Sequence, residues 1–240
     1  MQSQFTTSAT YFLQEGRENL HECLKIAFQT AKKQHIDKVV MFTARGDGIL
    51  LALNTLCGQD DYKDIKLVAV TFSPTRMFTT PEGNPMVVSI SPEADEAIKK
   101  NKIPLVKAHL PFDPIAPPFN DRGVLAQDLS LVESALNIFG GGMSLCVQAV
   151  ILACDAGAIG LGEHVIAMTA DTAILVQASS TARMLRELIV REILCKPAIL
   201  SIGRNESQIE GGVHHKVLGL EQSNTSESTK TLPESAAKEG

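Results

Sequence analysis

Two short polar strings interrupt otherwise apolar sequence. The first, TARGDG at 43–48, closes the run KVVMFT and leads into ILLALNTL. Thr43 brings a hydroxyl, Arg45 a planar cationic fork, and Gly46 and Gly48 allow close backbone approach. At a strand-to-helix junction such a string can turn helix N-terminal amides toward an anion or phosphate. The same residues suit a structural turn in which Asp47 caps the helix, and both readings stand at this point. The string is neither a GxGxxG fingerprint nor a phosphate loop ending in GK[ST]. Its RGD triplet reads as coincidence, because no secretory context accompanies it. The second string is TADTA at 169–173. Thr169, Asp171 and Thr172 suit a ribose, a phosphate edge or a local backbone turn.

Three further positions carry polar chemistry. Asp155 lies in the apolar run SLCVQAVILACDA, where a buried carboxylate must find donors or take up a proton. It reads as a bracing carboxylate or as a pocket residue. His109 ends the run IPLVKAHL and is the histidine best placed for a binding site, with a surface position as the alternative. His21, His35 and His164 read as structural or exposed. No histidine–carboxylate spacing signals a metal, and no SxxK, GxSxG or HExxH string names a nucleophile or a metal hydrolase. The five cysteines, Cys23, Cys57, Cys146, Cys154 and Cys195, form no CxxC pair and read as small buried hydrophobes.

Positioning these residues falls to alternating helices and strands. Leu20, Leu24, Ala27, Phe28 and Ala31 recur at helical spacing, predicting an amphipathic helix over 17–34 that Asn19 or a neighbour caps. Residues 38–43 and 66–71 read as buried strands, with ILLALNTL as the helix between them. Strands apolar on both faces need helix cover on both sides, so a mostly parallel sheet is expected. Pro74, Pro81, Pro85 and Pro92 mark 72–92 as an irregular excursion. A helix with a proline start follows at 92–100, then a strand at 103–110 and a proline-rich segment at 111–123 that reads as a long surface loop, with a lid as the alternative. Helices are expected over 124–139 and 144–156, separated by Gly140–Gly142. Residues 164–168 read as a strand and 172–178 as another strand or its extension. The segment SSTARMLRELIVREIL at 179–194 reads as a strong helix, and CKPAILSIG as a short final strand or extended segment.

These elements make one α/β domain over 1–203. Residues 204–220 read as a packed C-terminal arm, and 221–240, rich in Ser, Thr and Glu, as a disordered tail. A hydrophobic fraction of 44% with 20% charged residues describes a globule. No apolar run reaches the roughly 18 residues of a membrane span, and no secretory signal opens the chain, so a cytoplasmic location is expected. A net charge of -5 without a basic stripe argues against nucleic acid as a partner.

Several strings together resemble stand-alone proteins shaped like the C-terminal domain of pyruvate kinase. They are YFLQEGRENLHECLKIAFQTAKKQHIDKVVMFTARGDG, SLCVQAVILACDAGAIGLGEHVIAMTADTAILVQASS and the segment ending REILCKP, spanning about residues 11–200. The resemblance implies an open three-layer α/β/α sandwich that makes subunit contacts, hence a homo-oligomer. It also implies a phosphorylated small-molecule ligand or flavin mononucleotide (FMN). On this resemblance the site residues are Asn19, Thr43, Arg45, Gly46, Asp47, Gly48, Thr71, His109, Asp155, Thr169, Asp171 and Thr172. Leu20 stands where the family prefers threonine, and Arg45 enters a normally neutral loop. The family's longer glycine-bearing segment before Asp171 is here the direct passage IAMTADTA.

The catalytic barrel of a complete pyruvate kinase needs roughly 250 residues, so no phosphoryl transfer from phosphoenolpyruvate to ADP is expected. Two functions from different classes follow. One is a small-molecule-binding protein, with a flavin-dependent redox step as its enzymatic form. The other is a structural or oligomerisation module that has lost its ligand.

Overall fold

A computed structural model describes residues 6–80, 82–113 and 125–198. All described elements fall in the first unit of the chain, Met1–Ser201. The expected arm at 204–220, the tail at 221–240 and most of the proline-rich loop lie outside the described residues.

The chain begins with strand β1 (Thr10–Phe12), helix α1 (Leu20–Gln34), strand β2 (Lys38–Phe42), helix α2 (Asp47–Thr55) and strand β3 (Lys66–Phe72). A small hairpin follows, β4 (Met77–Thr79) and β5 (Pro85–Val87). Then come α3 (Pro92–Lys100), β6 (Leu105–Ala108), α4 (Leu125–Asn137) and α5 (Met143–Asp155). The described part ends with β7 (His164–Met168), β8 (Ala173–Gln177), the short α6 (Met184–Glu187) and β9 (Ile189–Pro197). Seven strands make one sheet in the order β1-β9-β8-β7-β2-β3-β6. β7, β2, β3 and β6 are mutually parallel, β8 is antiparallel to both neighbours, and β1 runs parallel to β9. The protein is therefore a mixed α/β fold with a largely parallel sheet flanked by helices, as the doubly apolar strands required.

The alternation of side chains along β2 explains the helix cover. Val39 and Met41 point into one core with Cys23, Leu24, Ala27 and Phe28 of α1, whereas Val40 and Phe42 point into the other with α5. Helix α5 is buried from Met143 to Ala153 except at Leu145, so its nearly all-apolar sequence matches its central place. In α3, Ser91 Oγ accepts from Ala94 N–H (3.2 Å) ahead of Pro92, matching the proline start expected there.

One strong helical pattern is overturned. Only Met184–Glu187 is helical within 179–194, and Ile189–Pro197 is a nine-residue strand between β8 and β1. The segment Leu188–Ile189–Val190 carries β-branched residues. Pairing on both edges fills its backbone hydrogen-bond ladder and buries Leu194 and Cys195. That gain comes from partners distant in sequence and outweighs a local preference for helix. The excursion at 72–92 also holds the β4–β5 hairpin, with Pro85 at the first position of its strand, where proline is tolerated.

Candidate functional site

The C-terminal ends of β2 and β7 open into a cleft of about 300 Å³. Leu20, Met41, Phe42, Met86 and Val87 give it apolar walls, and Arg17, Thr43, Arg45, Asp47 and Thr169 supply polar groups. Strand C-terminal ends are where open α/β folds leave room for ligands, because the chain leaves each strand toward a helix on one face or the other.

The β2–α2 turn is built before any ligand arrives. Gly46 N–H donates to Thr43 Oγ1 (2.9 Å), and Thr43 N–H donates to Val70 O (2.9 Å), fixing the turn to β3. Gly46 has φ 94°, and a Cβ there would lie 2.3 Å from the Ala94 Cβ. A Cβ on Gly48 would lie 2.4 Å from Met41 Sδ. Both glycines thus serve close packing as well as backbone exposure. The first helical bond of α2 runs from Leu50 N–H to Gly46 O (3.0 Å), leaving the amides of Asp47, Gly48 and Ile49 ahead of it without helical partners.

Charge at the rim is mixed. Asp47 forms an ion pair with Arg17 instead of capping its helix by a side-chain hydrogen bond. Arg45 is exposed, and no described residue forms a hydrogen bond or ion pair with its guanidinium. Two arginines and one aspartate leave the rim with a formal surplus of one positive charge.

The β7–β8 turn is committed mostly to the fold. Thr169 N–H donates to Thr172 O (2.8 Å), closing a hairpin turn. Asp171 accepts from Gly16 N–H (3.0 Å), Thr172 Oγ1 (3.0 Å) and Thr169 Oγ1 (3.4 Å). Thr172 Oγ1 in turn accepts from Gly142 N–H (2.8 Å) at the start of α5. Of the three polar residues expected to touch a ligand there, Thr169 alone lines the cleft.

The remaining expected residues separate. Asn19 Nδ2 donates to Gln14 O (2.7 Å) and supplies no side-chain cap to α1. Thr71 is buried on β3 beside the β2–α2 turn, and its hydroxyl has no hydrogen-bond partner among the described residues. His109 is exposed beyond β6, two strands from β2, where its Nε2 and Thr75 Oγ1 share a 3.2 Å hydrogen bond. Asp155 is exposed rather than buried, at the end of α5 farthest from Gly142. It accepts from Thr181 N–H (3.1 Å) and Thr181 Oγ1 (2.5 Å). Thirteen helical residues span about 20 Å, so this bracing carboxylate belongs to the opposite end of the strands from the cleft.

Sequence reasoning missed Arg17, Met41 and the β5 residues Met86 and Val87. Met41 was visible only as one side chain of an apolar strand. Arg17 meets Asp47 across 30 residues of sequence, a pairing without a local signal. Among the described residues no cluster of His, Cys, Asp and Glu is placed to hold a metal, and no helix is long and apolar enough to cross a membrane. No protein-family model matches the chain.

Proposed function

We propose that this protein binds a small phosphorylated molecule in the cleft between the β2–α2 and β7–β8 turns. The observation that carries this reading is Arg45, an exposed guanidinium engaged by no described residue. It stands over an apolar-walled cleft and beside the open amides of α2. Arg45 and those amides suit the anion, and Leu20, Met41, Met86 and Val87 suit an apolar or ring-shaped remainder. Arg17 neutralises Asp47, which would otherwise repel the anion. The resemblance to the pyruvate kinase C-terminal domain supports the same end of the sheet.

FMN belongs to this ligand class, but the loop at 169–172 does not fit it as a phosphate cradle. The side chains of Asp171 and Thr172 are held by Gly16, Gly142 and each other. The cleft volume also stands at the lower end of the usual range for ligand pockets, about 300–1,000 Å³.

A second reading, the assembly module, is favoured by a different observation. Leu131 of α4 and Ile138 and Phe139 in the turn after it are 70%, 76% and 50% exposed. Exposed apolar side chains of this kind are what a subunit contact would cover.

Native mass spectrometry of the full chain purified without added ligand, with its visible spectrum, tests both readings. A bound mass carrying phosphate supports the cleft, and flavin absorption would identify that mass as FMN. Ligand-free protein that also fails to take up any phosphorylated compound, yet has a multimeric mass, would replace the binding reading by the assembly one.

A further inference from the structure

Beneath the β7–β8 turn three buried thiols gather from distant parts of the chain. Cys23 lies in the first turn of α1, Cys146 in α5 and Cys195 in β9, each 0% exposed. Cys195 Sγ is 3.4 Å from Cys23 Sγ. Cys23 Sγ also donates to Thr169 O (3.7 Å), and Cys146 Sγ to Thr172 O (3.6 Å). Burial as small hydrophobes explains each thiol singly. It does not require two sulfurs, 172 residues apart in sequence, to face each other in contact.

We propose that Cys23 and Cys195 are a dithiol modification site that closes to a disulfide under a small disulfide oxidant, tying α1 to β9. An S–S bond of about 2.04 Å asks the sulfurs to approach by roughly 1.4 Å. Both sit on elements held in one core, and opening of the first turn of α1 gives an oxidant its access. One thiol, as thiolate, attacks a sulfur of the oxidant RSSR, forming a mixed disulfide and releasing RSH. The second thiolate then attacks the protein sulfur of that mixed disulfide and releases another RSH. Two S–H bonds are lost and one S–S bond forms. The two electrons reduce the oxidant's S–S bond, and the two protons leave on its thiols. The side-chain hydrogen bond shared with Cys195 and burial both hold the Cys23 thiol well above the ordinary cysteine range, so the reaction is slow and is not that of a catalytic thiol.

The test incubates the reduced full chain with cystamine, blocks remaining thiols with N-ethylmaleimide in denaturant and maps the peptides. The expected result is a Cys23–Cys195 linked peptide and loss of both these thiols. The melting temperature should rise by roughly 5–15 °C, because the cross-link closes a very long loop. Cys195→Ala should abolish the link; if that variant does not fold, the wild-type peptide map decides alone. The proposal is overturned if both thiols stay alkylatable, if loss is confined to the half-exposed Cys57 and Cys154, if other pairs link, or if a cysteamine adduct on Cys23 persists unresolved.

Discussion

Replacing Gly46 by alanine puts a methyl group where another already stands. The added Cβ would lie 2.3 Å from the Ala94 Cβ and 3.7 Å from the Ala94 Cα, in a backbone conformation of φ 94°. A non-glycine residue in left-handed conformation costs about 1–2 kcal/mol. Overpacking a tight contact adds about 1–3 kcal/mol, and the stiffer unfolded chain returns about 0.4–1 kcal/mol. The sum is about 1–4.6 kcal/mol, or roughly 2–18 °C in melting temperature for a chain of this size. Ala94→Gly in the same background removes the colliding methyl. It should recover about 1–3 kcal/mol in a double-mutant cycle, although glycine alone weakens α3 by about 1 kcal/mol. Urea unfolding of the four proteins reads this coupling directly. Gly46→Ala within 0.5 kcal/mol of wild type, or strictly additive single variants, would refute the claim that packing against α3 holds this turn in place.

Gly142→Ala should be more damaging, because its Cβ would fall 2.1 Å from Thr169 Oγ1 and 2.7 Å from the Thr169 Cβ. A loss of about 3 kcal/mol or more in urea unfolding, or failure to fold, is expected; wild-type stability would contradict the contact between α5 and the β7–β8 turn. Thr71→Val keeps the shape and removes a buried hydroxyl that has no partner among the described residues, so unfolding should show a gain of about 1 kcal/mol. A loss of stability there would mean that the hydroxyl is satisfied after all.

The architecture was legible where local pattern and tertiary role agree. Strands β2 and β3 carry apolar residues on both faces because both faces are buried, and α5 is apolar throughout because it lies between sheet and α4. Strand β9 was hidden because Leu185, Leu188, Ile189 and Ile193 also fit a helical repeat, and only pairing with β8 and β1 decides the matter. Strand β1, three residues long, is defined by its pairing with β9 and carries no period of its own. The site divides in the same way. Thr43, Arg45, Asp47, Gly48 and Thr169 were legible as small polar breaks at strand ends, and the sheet brings them to one cleft. Asp155 was misread as buried because its apolar neighbours precede it, while the helix ends at that residue and turns it to solvent. His109 follows β6, which sits two strands away from β2.

Titration calorimetry of wild type and Arg45→Gln with phosphorylated sugars, nucleoside monophosphates and FMN tests the binding proposal most directly. The account predicts that at least one phosphorylated compound binds the wild type, and that its unphosphorylated form binds much more weakly. Arg45→Gln should lower affinity about 10- to 100-fold, the worth of one charge-assisted contact at about 1.5–3 kcal/mol. Binding that is equally tight in Arg45→Gln, or no uptake of any phosphorylated compound by folded wild-type protein, would contradict it.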